Sequence, residues 1–354
     1  MKETNKQYFL AANSCRGFVS EFLSNCNEDY KTYIIKGGPG TGKSSFMKKV
    51  AAFAEAKGET VIYCPCSSDP KSLDGIICDK NKIIIIDGTA PHTVDPVYPA
   101  VAQEILNFGQ FWDSEKFKNK TEIIEITNRN KTLHKTAARY ITAAGEMLYD
   151  NFKTATACTN NNKCKTFAEK LCKNMFTKTD RTPKETIRFI AGITPNGFIA
   201  FPQTISQNLI IINDEFFAVS SYILGIIRQT AILNGYDIIT LKNPFFPELI
   251  DHIIIPELDL AIVSENRFIR FENEQRRIHA RRFYDSRLLH QSKNRIKFNK
   301  RLADELLNSA YFALSEAKKV HDVKLCKLII RPHSFAVAHI KSDNGYRKSG
   351  ISIS

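Results

Sequence analysis

Long hydrophobic runs are missing from this chain of 354 residues. Its apolar stretches fall far short of the roughly 18 residues that a membrane-spanning helix needs. The first residues, MKETNKQYFLAANS, carry no extended apolar core of the kind that marks a secretory signal. The expectation is a cytoplasmic protein with no membrane partner. Paired C-x-x-C spacing is absent as well, although there are nine cysteines. Cys64 and Cys66 form a C-x-C at the end of an expected strand, where side chains two apart share a face and could hold a metal; buried, reduced thiols are the simpler reading. With 43% hydrophobic and 25% charged residues the composition excludes disorder as the main state. The length favours two domains, each large enough to bury a core.

Acidic residues are scarce where basic ones concentrate. The formal charge is +13, and residues 267–301 supply much of it, with 12 Lys/Arg against 3 Asp/Glu. Arginines interleaved with Phe268, Phe271, Phe283 and Tyr284 could grip phosphates and stack on bases, making nucleic acid a possible partner. The same pattern also fits a solvated basic helix whose aromatics face the core.

The sharpest positive signal is YIIKGGPGTGKSSFMKK at 33–49, which satisfies G-x-x-x-x-G-K-[ST]. A short apolar strand precedes the loop and a helix follows it, closed by Lys57-Gly58. Glycines at 37, 38, 40 and 42, with Pro39 and Thr41 between them, let the backbone turn its N–H groups toward phosphate oxygens. The helix N-terminus at Ser44 and Ser45 adds positive dipole. Lys43 is expected to reach the β- and γ-phosphates of ATP, and the Ser44 hydroxyl to join the Mg²⁺ shell. The second metal-site carboxylate is Asp87, which ends KIIIID at 82–87, a Walker B pattern. Four isoleucines in a row imply a strand buried on both faces.

The attacking group's base is harder to place, because Gly88 follows Asp87 where many ATP-hydrolysing enzymes carry glutamate. Asp69 and Asp74 in CPCSSDPKSLDG, and His92 and Asp95 in DGTAPHTVDP, lie just past expected strands, where open α/β sheets put their ligands. Asp69 and His92 are the stronger candidates for catalysis beside Lys43 and Asp87. Each also fits a cap or turn role.

The chain is internally repeated. FLAANSCRGF at 9–18 matches FIAGITPNGF at 189–198, Gly58 falls on Gly235, Pro70 on Pro247, Asp74 on Asp251, and AARYITAAGEMLYD at 137–150 on SAYFALSEAKKVHD at 309–322. On this alignment GGPGTGKSS meets NDEFFAVSS, so that Lys43 becomes Val219, Gly42 becomes Ala218 and Asp87 becomes Ser264. Asp214 and Glu215 then stand where phosphate would sit, and they would repel it. One working site and one dismantled copy are expected.

YIIKGGPGTGKSSFMKK, CSSDPKSLDG, DGTAPHTVDP and ILNFGQFWD together resemble a bacterial family of tandem P-loop proteins described as predicted ATPases. The resemblance covers most of residues 7–325, and it implies ATP binding and hydrolysis without naming a substrate. Related members can carry a second intact loop where Val219 lies here.

The expected fold is α/β: two tandem P-loop NTPase-type three-layer units with mostly parallel sheets, each with an appended helical hairpin. Residues 1–180 form the active unit, with a helical hairpin or lid at about 115–176. Residues 186–330 form the degenerate unit with a basic helical region at 267–325, and 331–354 a poorly ordered tail. The leading function is an Mg²⁺-dependent ATPase whose second half regulates or binds a partner. The alternatives are a nucleotide or small-molecule kinase using Asp69 or His92 as base, and an ATP-switched nucleic-acid-binding protein.

Overall fold

The computed structural model describes residues 6–26, 28–112, 120–272 and 276–327. The chain opens with a hairpin, β1 (Ala11–Ser14) and β2 (Gly17–Ser20), and a helical turn, α1 (Phe22–Asn25). A first sheet is built from β3 (Lys31–Lys36), β4 (Val61–Pro65), β5 (Leu73–Cys78), β6 (Ile83–Asp87) and β7 (Gln103–Asn107), with α2 (Lys43–Ala56) following β3. Two helices, α3 (Lys120–Ala157) and α4 (Asn161–Met175), lead to β8 (Glu185–Arg188) and a second hairpin, β9 (Ala191–Thr194) and β10 (Gly197–Ala200). The second sheet then takes β11 (Asn208–Asn213), β12 (Ile238–Lys242), β13 (Ile250–Ile255), β14 (Leu260–Glu265) and β15 (Arg276–His279), with α5 (Ala218–Leu233) after β11. A short helix, α6 (Ser286–Gln291), and a long one, α7 (Lys293–Lys327), complete the described chain.

The strand orders are β4-β5-β6-β3-β7 and β8-β12-β13-β14-β11-β15. Apart from the edge strand β8, the second order repeats the first. In both sheets a single strand, β5 or β13, runs against the others. The reason is local. Only Asp79–Lys82 separates β5 from β6, and so short a link returns the chain beside itself antiparallel, whereas a parallel return needs a crossover of a dozen or more residues. The left-handed residue of that turn, Lys82, has its counterpart in Asp259, with φ of 53° and 45°. Even β8 has a trace in the first half, where Gln7 bridges Tyr63 in parallel as Ile187 pairs with Thr240.

The four isoleucines before Asp87 behave as their pattern requires: Ile84 and Ile86 face one side of the first sheet, Ile85 the other, and all three are buried. What covers them departs from the three-layer expectation. On the outer face Tyr33, Ile35, Ile76 and Ile85 pack against Phe46, Met47 and Ala51 of α2. On the inner face Ile34, Ile62, Ile77, Ile84 and Ile86 share one core with Leu10, Phe22 and Ile190 from the hairpin segments, and with Leu209, Ile211, Ile254 and Val263 of the other sheet. Helices therefore cover one face of each sheet, and the other half of the chain covers the second. An apolar inner face must be removed from water, and the duplicate does this in place of a second helical layer.

The halves meet about a pseudo-twofold axis. Phe9 and Phe189, equivalent residues, exchange both backbone hydrogen bonds, at 2.8 and 3.0 Å. Around them Thr204 Oγ1 donates to the Gln7 carbonyl at 3.1 Å, and the equivalent Ser24 Oγ donates to the Ile187 carbonyl at 3.2 Å. Such reciprocal contacts are the signature of an isologous dimer interface, here within one chain.

The stretch expected as a self-contained hairpin or lid at 115–176 is divided instead. α3, 38 residues and about 57 Å long, lies antiparallel to its own repeat α7. Asn130 Nδ2 donates to the Ala317 carbonyl at 2.7 Å, Asn299 Nδ2 to Asn151 Oδ1 at 3.0 Å, and Arg295 pairs with Asp150. α4 turns away and packs Cys164, Ala168 and Leu171 onto α5 and the outer face of the second sheet. The basic segment from 267 is likewise not helical from its start: it runs through β15 and a 3-10 turn at Ala280–Phe283 before α6 and α7 begin. The tail at 331–354 lies outside the described residues. Among those described, no helix is long and apolar enough to cross a membrane.

Candidate functional site

The glycine-rich segment 37–42 joins the buried centre strand β3 to α2 and lies at the same sheet edge as Asp87, because β3 and β6 are parallel neighbours with Ile35 opposite Asp87. Gly40 and Gly42 take positive φ, 80° and 84°, which turns the backbone without a Cβ penalty. Trp112 covers the loop: a Cβ on Gly38 would stand 2.2 Å from its ring. Thr89 pins the loop from below, its Oγ1 donating to the Gly37 carbonyl at 2.9 Å and accepting from the Gly37 N–H at 3.2 Å.

Lys43 Nζ donates to the carbonyls of Gly37 and Gly38, at 2.5 and 2.9 Å, and lies 3.5 Å from Asp87 Oδ2. Asp87 Oδ1 accepts from the Thr89 N–H at 2.9 Å, which fixes the carboxylate's orientation. The Ser44 hydroxyl accepts from the Leu73 N–H at 3.0 Å. Gly88 is sterically required, since a Cβ there would stand 2.4 Å from Ile34 Cγ2; no glutamate fits beside Asp87.

The remaining acid–base candidates separate into two groups. Asp74 lies within β5 rather than in a loop, and His92 Nε2 is 3.4 Å from its Oδ2, both side chains being almost fully buried. Burial holds the Asp74 carboxyl above its usual range, opposed first by His92. Cys66 joins this pair, whereas Cys64 points into the inner core; the C-x-C does not act as one unit. Asp69 instead accepts from Ser72 Oγ at 2.8 Å and meets Lys318 of α7 at 3.4 Å. Asp95 is largely exposed and pairs with Lys36 at 2.8 Å.

The second half shows what the same frame does without these residues. From β3 to β6, strand ladders and matched left-handed residues keep the two halves 177 positions apart: Lys31 matches Asn208, Gly58 matches Gly235, and Asp87 matches Ser264. No shift is needed in the loop, so Lys43 corresponds to Ser220, Gly42 to Val219 and Gly40 to Phe217. This corrects by one residue the alignment of Lys43 with Val219, which the paired serines suggested. Phe217 takes positive φ, 63°, as Gly40 and Gly42 do at 80° and 84°. Ser264 Oγ donates to Ser220 Oγ at 3.1 Å, in place of the Lys43–Asp87 pair.

Asp214 has turned inward rather than out toward a ligand. Its Oδ2 accepts from the N–H groups of Val219 and Ser220, both at 2.9 Å, and its Oδ1 from Tyr284 OH at 2.7 Å. The α5 N-terminus is thus already capped by a buried carboxylate, which burial nevertheless holds above its usual pKa. Tyr284 stands where Trp112 stands in the first half. Glu215 is neutralised by Lys300 at 2.7 Å. Above this closed loop Tyr149, Phe246 and Phe217 pack ring to ring; their repeat counterparts are His321, Asp69 and Gly40.

Four aromatics of 267–301 are occupied elsewhere: Phe271 and Phe283 are buried, Phe268 packs on Phe198 and Phe245, and Tyr284 is bonded to Asp214, whereas Phe298 of the same segment is exposed.

No protein-family model, no curated protein and no solved structure matches this chain.

Proposed function

We propose that the first half binds ATP with Mg²⁺ and hydrolyses it, and that the second half is a nucleotide-free copy which completes the first. Gly37, Gly38, Pro39, Gly40, Thr41 and Gly42 would wrap the phosphates with backbone N–H groups, helped by the α2 N-terminus at Ser44 and Ser45. Lys43 would exchange its contacts with the Gly37 and Gly38 carbonyls for β- and γ-phosphate oxygens. Ser44 and Asp87 would hold the metal, which supplies charge neutralisation across those phosphates.

One observation carries this reading: Lys43 beside Asp87 at the glycine loop, against Ser220 beside Ser264 under a loop sealed by Asp214. The same frame exists in both halves, and only one keeps the charges that a metal–phosphate complex needs. Asp69 and Lys318 link that mouth to α7, which gives the second half a physical path to the first.

Lys43→Ala tests the reading. Purified wild-type protein is expected to bind ATP with Mg²⁺ and release phosphate unaided, and the variant to lose turnover by about a hundredfold or more, on the scale of removing one preorganised charge from a reacting centre. Equal turnover in the two proteins would rule out this site. Phosphate release that begins only when a metabolite mixture is added would point to transfer rather than hydrolysis.

A further inference from the structure

Cys66, Asp74 and His92 form the one group of three metal-ligating side chains found together among the described residues, their donor atoms all within 4.8 Å of one another. They come from three places in the chain: the turn after β4, the body of β5, and the loop after β6. Phe18 and Phe22 wall off the imidazole, with ring centroids 4.9 and 5.3 Å away. His92 Nδ1 is buried and has no hydrogen-bond partner. Burial and the neighbouring Asp74 hold the Cys66 thiol well above its usual value, opposed by the backbone N–H groups of Ser68 and Asp69.

The second half supplies an internal control. At the matching positions stand Asn243, Asp251 and Ile269, and there Asn243 Nδ2 simply donates to Asp251 Oδ1 at 3.0 Å. The buried aspartate is common to both halves, but the fold is satisfied by an amide and an aliphatic side chain around it. A sulfur and an imidazole are therefore not demanded by packing, and their presence in the first half asks for another reason.

We propose that Cys66, Asp74 and His92 bind a divalent cation of the zinc class at a site separate from the one assigned to nucleotide. A thiolate, a carboxylate and a neutral imidazole carry a charge of two minuses, which a dication cancels. The mixed S, O and N set suits zinc and disfavours magnesium, which prefers oxygen alone. Three protein ligands leave a fourth tetrahedral position for water. Binding releases the thiol proton, and that of Asp74 where it is neutral, to solvent. The ion would tie the turn after β4 to the loop that carries Thr89 and His92, and so to the segment that orients Asp87.

Cobalt titration of the tag-free, full-length protein without nucleotide tests this. The expected result is one equivalent bound, with a near-ultraviolet thiolate-to-cobalt absorption that zinc displaces. Cys66→Asn/His92→Ile, which copies the second half and so keeps Asp74 hydrogen-bonded, should abolish the absorption; Lys43→Ala, in the proposed nucleotide site, should retain it whether or not ATP is hydrolysed. X-ray absorption of the zinc-loaded wild type should show one sulfur and one imidazole, a reading that stands even if the double variant folds poorly. No thiolate band in the wild type, an unchanged band in the folded double variant, or a zinc shell with two or more sulfurs would overturn the proposal.

Discussion

Asp251 and His252 are neighbours on β13, both buried, and burial drives their protonation in opposite senses. The Asp251 carboxyl is raised from 3.8 to about 7, chiefly by burial, with the Asn243 amide opposing and Asp214 adding to the rise. The His252 imidazole is lowered from 6.5 to about 3 by burial. A carboxyl raised in the folded state stabilises the fold fully below about pH 3.8 and loses that contribution as pH rises through about 7. At about 1.4 kcal/mol per pH unit the loss is about 4 kcal/mol. A depressed histidine works in reverse: its contribution is present above about pH 6.5 and is lost as pH falls through about 3, a change of about 5 kcal/mol. Between about pH 4 and 6.5 the two slopes cancel. Asp251→Asn removes one of them and leaves the other. The stability of the variant relative to wild type should therefore climb by about 4 kcal/mol between about pH 4 and 8, whatever fixed offset the amide introduces. Urea unfolding followed by far-UV circular dichroism at constant ionic strength measures the difference. A difference that stays constant over this range would refute the assignment of a neutral Asp251 in the native state.

Three further outcomes are expected. Trp112 is the only tryptophan in the chain and lies on Gly38, so Mg²⁺–ATP should change its emission in the wild type and not in Lys43→Ala; unchanged emission under calorimetrically verified binding would contradict the placement of nucleotide at this loop. Asp214→Ala strips the acceptor from three backbone N–H groups and the hydroxyls of Ser220 and Tyr284, and should cost about 2–4 kcal/mol in urea unfolding without creating a second nucleotide site; unaltered stability would show that these bonds contribute nothing. Gly88→Glu should lower the melting temperature and give no gain in ATP turnover, because its Cβ meets Ile34 before its carboxylate can reach any substrate; a faster enzyme would show that the loop after Asp87 can open.

The loop at 37–42, the buried isoleucine strand and the repeat were legible because each leaves a local mark: glycine spacing, an apolar run, matching words. β5 was not legible as a strand, since Asp74 and Gly75 interrupt its apolar pattern; Gly75 is there because Ile85 and Ile86 of the adjacent strand approach within 3.1 and 3.2 Å of where a Cβ would stand. The repeat was misaligned by one residue at the loop because two identical serine pairs drew the match, while the ladder register follows backbone geometry and ignores them. The role of Cys66 was hidden by Cys64: alternation suggests that they share a face, but the strand ends at Pro65 and the chain turns between them. The partnership of α3 with α7 leaves no trace in either sequence, because each helix would look the same packed on any apolar groove. Thr89 and Trp112 lie within DGTAPHTVDP and ILNFGQFWD, but only their contacts with Gly37 and Gly38 show what they do.

The exchange of backbone hydrogen bonds between Phe9 and Phe189 has a consequence for how such a chain can change. In a dimer of separate identical subunits every substitution appears twice, so a site cannot be closed in one subunit while the other stays open. Joined in one chain, the two halves keep a common seam but inherit mutations singly. The seam holds equivalent residues face to face, and the loops far from it are released from any need to match. Asymmetry in this molecule is thus a freedom conferred by covalent fusion: one half can become a lock for the other without the frame that joins them having to move.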